Sequence, residues 1–126
     1  MLPDRISAVI IKDKKILLVT NDINLYWTPG GTLEAKETHE QALKRELMEE
    51  LSVQLKSSKP YINYTAIHEF KKVPQRVFCY FSEYVGELIP SSEITIYGWF
   101  SKENLPRMIK SIKDNLIQKL IEDKLL

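Results

Sequence analysis

Glu46, Glu49 and Glu50 stand three and four residues apart in a stretch that reads as a helix. At about 100° per residue they share roughly a quarter of the helical circumference. Like charges at that spacing repel, and the penalty grows where water is partly excluded. Lys44 and Arg45 are their neighbours in the chain but are expected to project from other faces, and so to neutralise them poorly. A divalent cation would offset the repulsion, and several hard oxygen ligands favour Mg²⁺ or Mn²⁺ over zinc. An acid-rich helix face is also a common form of solvated surface, so the cluster alone leaves both readings open.

The elements that must position these acids can be read from the same stretch. Thr38-x-x-Gln41 has the form of a capping box, which predicts a helix from about His39 to Leu51. Leu43, Leu47 and Leu51 recur every fourth residue and form the stripe that packs inward, with the glutamates beside it. Pro29-Gly30-Gly31 is the strongest local breaker in the chain. Ile6 to Ile11 and Ile16 to Val19 read as a strand pair around the polar turn Lys12-Asp13-Lys14-Lys15. Further strands are expected at Tyr61–Phe70, Val77–Val85 and Ile94–Phe100, where aromatic and β-branched residues dominate. Ile109, Ile112, Leu116, Ile117, Leu120 and Ile121 recur at helical spacing near the C-terminus. Strands, helix, strands, helix is the order of an α/β sandwich with a mixed sheet.

The 126 residues are about one domain's worth, and 1–126 is expected to be a single domain. A net charge of +1 gives no global field toward nucleic acid or an anionic membrane, so an anion must be held locally. The one cysteine, Cys79, lies in the apolar run Val77–Phe81 and is expected to be a buried thiol. No signal peptide and no bilayer-length apolar run is evident, which places the chain in the cytoplasm as an expectation.

The spacing from the glycine pair to the helix end resembles the Nudix family. Its box is Gly, five residues, Glu, seven residues, Arg-Glu, aliphatic, any, Glu-Glu, any, Gly, aliphatic. Gly31, Glu37, Arg45, Glu46, Leu47, Glu49, Glu50 and Val53 match, and Trp27-x-Pro29-Gly30-Gly31 with Glu34 looks like the family's lead-in. The resemblance implies an α/β/α sandwich with a mixed sheet and a loop-helix-loop box. It also implies magnesium-dependent cleavage (with manganese as a substitute) of a pyrophosphate bond in a nucleoside diphosphate derivative or nucleoside triphosphate. Glu49 and Glu50 would hold the metal with the Gly31 carbonyl, and Glu46 would be a ligand or the base. Arg45 would orient the carboxylates, and Glu37 would brace the loop against the helix. Glu93, six residues before Trp99, matches a further family carboxylate that acts as ligand or base.

Two family glycines are replaced, by Ser52 just past the helix and by Lys36 before Glu37. Thr20-Asn21 stand where MutT-type triphosphate cleavers often carry an arginine, which weighs against an oxidised-nucleotide role. For substrate, Arg76 between two strands, Tyr80 as an aromatic platform and Asn115 as a reader of a base edge are the candidates. His39 is expected in solvent, and His68 to be a satisfied strand histidine. A small nucleotide is the expected partner, with no membrane or specific nucleic acid, and the chain a monomer or homodimer. The competing reading is a Nudix domain that senses nucleotide without turnover; the retention of every box carboxylate favours the enzyme.

Overall fold

The computed structural model describes all residues, 1–126. Its strands are β1 (Arg5–Val9), β2 (Ile11–Lys12), β3 (Lys15–Thr20), β4 (Gly30–Thr32), β5 (Gln54–Ile67), β6 (Pro74–Val85) and β7 (Ile96–Phe100). The first helix, α1, spans His39–Leu51; a π-helical segment, Ile112–Ile117, runs into α2 (Gln118–Glu122). A four-stranded mixed sheet has the order β4-β1-β6-β5, and a three-stranded sheet has the order β2-β3-β7. β1 lies parallel to β6 and antiparallel to β4.

Strand alternation divides the core into two halves. Ile6, Ala8, Leu17 and Val19 pack on Ala42, Leu43, Leu47 and Leu51 of α1. Val9, Ile16, Leu18, Val77 and Cys79 face Met108, Ile112, Leu116, Ile117 and Leu120 of the C-terminal segment. Helices thus cover both sides of the strands, as an α/β/α sandwich requires. Cys79 is buried, and burial pushes its thiol up to about 12.

The box helix begins where its cap predicts. The Gln41 amide donates to Thr38 Oγ1 at 3.1 Å, and the Thr38 amide donates to Gln41 Oε1 at 2.8 Å. At its end Ser52 takes the left-handed conformation, φ 61° and ψ 29°, and Lys36 likewise has φ 66°. Both positions keep the backbone form expected of the glycine they replace, at the usual cost of a Cβ in that region. Ser52 Oγ recovers part of it by donating to the Ile89 carbonyl.

Several strand limits differ from the sequence reading; β6 starts at Pro74 rather than Val77, and β7 at Ile96 rather than Ile94. β1 stops at Val9, and Ile11 begins β2. β5 starts at Gln54 rather than Tyr61 and ends at Ile67. Its first half, with Lys56, Lys59 and Pro60, has no apolar alternation to betray it. Such residues suit the outermost strand of a sheet, where register irregularities flank Ser57 and Pro60. The C-terminal segment keeps the expected apolar face but is part π-helix, a difference that apolar spacing does not report. No helix is long and apolar enough to cross a membrane.

Candidate active site

Two backbone features build the site around α1. β4 runs beside the helix, and the Gly30 amide donates to Glu50 Oε1 at 2.9 Å. Gly31 lies so close to Glu46 that a Cβ there would stand 2.3 Å from its Oε1. The second feature is the loop before β7. Helix ends leave carbonyls without partners, and here the Ile89 and Ser91 amides donate to the Leu51 and Glu50 carbonyls, both at 2.9 Å. Ser91 Oγ donates to the Glu49 carbonyl. This loop therefore closes the helix terminus and carries Glu93 to the side of Glu50.

Glu46, Glu49, Glu50 and Glu93 line one cleft of about 600 Å³ with Gly30 and Gly31. Its floor and walls are Arg5 and Ser7 of β1, Trp27 and Thr28, Tyr64 and Ala66 of β5, Gln75 and Val77 of β6, and Ile109, Ser111 and Ile112. The loop joining β5 to β6 adds His68, Glu69, Phe70 and Lys71 at the rim.

The acids differ in surroundings. Glu50 is buried, which pushes its carboxyl up to about 7; the Gly30 N–H and the Arg5 charge oppose that shift without cancelling it. Burial also raises Glu46, against the opposing hydrogen bond from Arg45. Glu49 is about half exposed.

Arg45 overturns the expectation that it neutralises the cluster poorly. Its Nε and Nη2 donate to the two oxygens of Glu37 at 2.7 and 3.0 Å, and its Nη1 donates to Glu46 Oε1 at 2.6 Å. Glu49 and Glu34 lie 3.6 Å from the same guanidinium. The long side chain curls along the helix, and Glu49 is one turn ahead on its own face. Glu37 is held down at about 2 by Arg45, and its Oε1 accepts from the Glu34 amide at 3.0 Å. Loop and helix are thereby pinned together.

No three carboxylates form a finished metal cage in this arrangement, because Glu46 is turned to Arg45 and Glu50 to the Gly30 amide. The donor chemistry nevertheless fits a hard divalent cation. All the groups are oxygen, they face one cleft beside a backbone that only glycine allows so near, and two are buried enough to resist ionising alone.

The substrate candidates fare differently. Arg76 and Tyr80 do not reach the cleft. They share a strand parity that turns them to the α1 side, while Gln75 and Val77 take the cleft side. Arg76 instead pairs with Asp4 at 3.1 Å, and the Tyr80 hydroxyl lies 2.6 Å from His39 Nδ1. His39 is accordingly half-buried against Phe78 rather than free in solvent. Asn115 lines a shallow neighbouring depression, and its Nδ2 donates to the Ser111 carbonyl at 2.8 Å. His68 Nδ1 accepts from the Phe70 and Lys71 amides and shapes the rim. Thr20 is buried, and its hydroxyl donates to the Leu25 carbonyl at 3.0 Å.

Sequence reasoning missed Arg5. Alternation along β1 gives the signal, since Ile6 and Ala8 face α1 and so Arg5 and Ser7 face the other way.

A NUDIX domain family model matches residues 1–120. An NAD-capped RNA hydrolase, NudC, of Pectobacterium carotovorum subsp. carotovorum (strain PC1) is 29% identical over 123 residues, a match that takes in 94% of this chain and 45% of that protein. The chain thus spans about half the length of the curated relatives it matches. A MutT NUDIX hydrolase from Burkholderia pseudomallei superposes with a TM-score of 0.81 at 23% identity, covering 94% of this chain and 98% of that one. The E. coli ORF135 protein does so with a TM-score of 0.78 at 22% identity, covering 98% and 94%. At such identities these two structures speak to the fold.

Proposed function

The chain belongs to the Nudix family, and from that premise we propose that it is a magnesium-dependent enzyme hydrolysing a pyrophosphate bond in a nucleoside diphosphate derivative. The observation that carries this reading is the gathering of Glu46, Glu49, Glu50 and Glu93 on one cleft beside Gly30 and Gly31. A sensor that only bound nucleotide would gain nothing from mutually repelling acids, two of them desolvated.

In this reading Glu49, Glu50 and the Gly31 carbonyl would hold Mg²⁺, or Mn²⁺ in its place, with Glu46 as a further ligand or the base. When bound, the cation would supply charge neutralisation for the anhydride oxygens and acidify water. Glu46 or Glu93 takes the proton of the attacking water. Arg45, braced by Glu37, keeps the carboxylates from drifting apart between turnovers. Gly30 and Gly31 leave room for backbone to approach the phosphates. Attack on one phosphorus breaks the bond to the bridging oxygen, giving a nucleoside monophosphate and a phosphorylated remainder.

Purified protein incubated with a panel of nucleoside diphosphate derivatives and triphosphates tests this. Monophosphate is expected with Mg²⁺ and not with excess EDTA. Tight nucleotide binding with no turnover of any panel member would instead favour the sensor.

A further inference from the structure

The acids around the cleft create an electrostatic problem that the box does not solve. A diphosphate brings further negative charge to a site already lined by five glutamates, Glu46, Glu49, Glu50 and Glu93 with Glu69 at the rim. Some fixed positive group must face the substrate from the other side of the cleft. Arg45 is spent on Glu37 and Glu46, and Arg76 on Asp4 behind the sheet. Lys71 sits at the rim in the turn between β5 and β6.

Arg5 is differently placed. It lies on β1 with β4 on one side and β6 on the other, its Cα registered with Thr32 and Val77. Its Nη2 donates to the Thr28 carbonyl at 2.8 Å, which aims the guanidinium. No carboxylate is within ion-pair distance of it, although Asp4 is its neighbour in the chain. It lines the cleft together with Gly30, Gly31 and the glutamates. An aimed, half-buried guanidinium with unspent donors and no counter-ion is built to take an anion, because its planar fork matches two phosphate oxygens.

We propose that Arg5 is a substrate-binding residue that clasps the diphosphate of the nucleotide from the sheet side, across from the glutamates of α1. The assignment rests on the nucleotide-cleaving reading for its ligand but not on turnover. Arg5 acts on ground state and transition state alike, so it tightens binding more than it accelerates chemistry.

The probe is α,β-methylene-ADP, whose diphosphate cannot be hydrolysed at the bridge. Calorimetric titration in Mg²⁺ is expected to give a Kd about ten- to a hundredfold weaker for Arg5→Met than for wild type, with Arg5→Lys between them. On any substrate the panel yields, Arg5→Met raises KM by a similar factor and changes kcat little. A parallel titration of the unaltered protein, followed by the NMR signal of the Arg5 Nε–H, is expected to shift that signal in step with binding. This keeps the test decisive if the methionine variant fails to fold. An unmoved Nε–H signal, or an Arg5→Met Kd equal to wild type, overturns the proposal. If the panel shows no hydrolysis but α,β-methylene-ADP binds and moves the Arg5 signal, the catalytic reading fails and Arg5 as the anion clasp stands.

Discussion

Replacing Glu50 with glutamine is expected to lower turnover by about two orders of magnitude or more while making the metal-free protein more stable at pH 8. The two effects share one cause. Glu50 is buried and its carboxyl is pushed up to about 7 from an ordinary 4.5. The folded protein therefore keeps a proton that the unfolded chain has already released. Stability contributed at this position falls as pH rises from about 4.5 to about 7, and the deficit is fully present above that. At 1.36 kcal/mol per pKa unit, the penalty at pH 8 is about 3 kcal/mol. Glutamine removes the charge but can still accept the Gly30 N–H. Thermal melts in EDTA should show Glu50→Gln above wild type at pH 8 and the two converging toward pH 4.5. A variant that loses both activity and stability at pH 8 would mean that Glu50 is a structural brace instead of a charge held for a cation.

Gly30→Ala should produce the largest loss of stability of any single added methyl group. Gly30 has φ of 139°, which a side chain rarely tolerates, and a Cβ would lie 2.1 Å from the Ile6 carbonyl oxygen. Backbone strain of about 1–3 kcal/mol adds to overpacking of similar size. Relief requires β4 to part from β1, which also withdraws the amide that holds Glu50. The midpoint of thermal unfolding should fall by about 10–20 °C. Gly86 is the internal comparison: its φ is 117°, but a Cβ there meets nothing nearer than Val53 Cγ1 at 3.5 Å. Gly86→Ala should lower the midpoint by only a few degrees, from strain alone. Equal falls for the two variants would show that the clash with β1 is relieved without disturbing the site.

The box helix was legible because its signals are local. Thr38 and Gln41 cap each other within four residues, and Leu43, Leu47 and Leu51 declare the buried face. The glutamates follow from that face by helical geometry, and Glu93 entered through family resemblance. What the chain could not announce depends on partners remote in sequence. Whether Arg76 and Tyr80 or Gln75 and Val77 face the cleft is a question of strand parity against β1, set by the register of Arg5 with Val77. The capping of α1 by Ile89 and Ser91 crosses about forty positions and uses backbone amides that any residue supplies. β5 begins early because an outer strand tolerates polar residues, so its first half carries no apolar rhythm. Arg45 misled for a different reason. Its guanidinium sits at the end of a long flexible stem, and the direction of its Cβ says little about where the charge goes.

The claim on which the rest depends is that these glutamates share a divalent cation. Calorimetric titration of the EDTA-treated, dialysed protein with Mg²⁺, without nucleotide, measures it directly. Saturable binding is expected in wild type and should weaken at least tenfold in Glu49→Gln and in Glu50→Gln, which lose ligands but not the fold. Identical Mg²⁺ isotherms for wild type and both variants, or no binding heat in any of them, would contradict it.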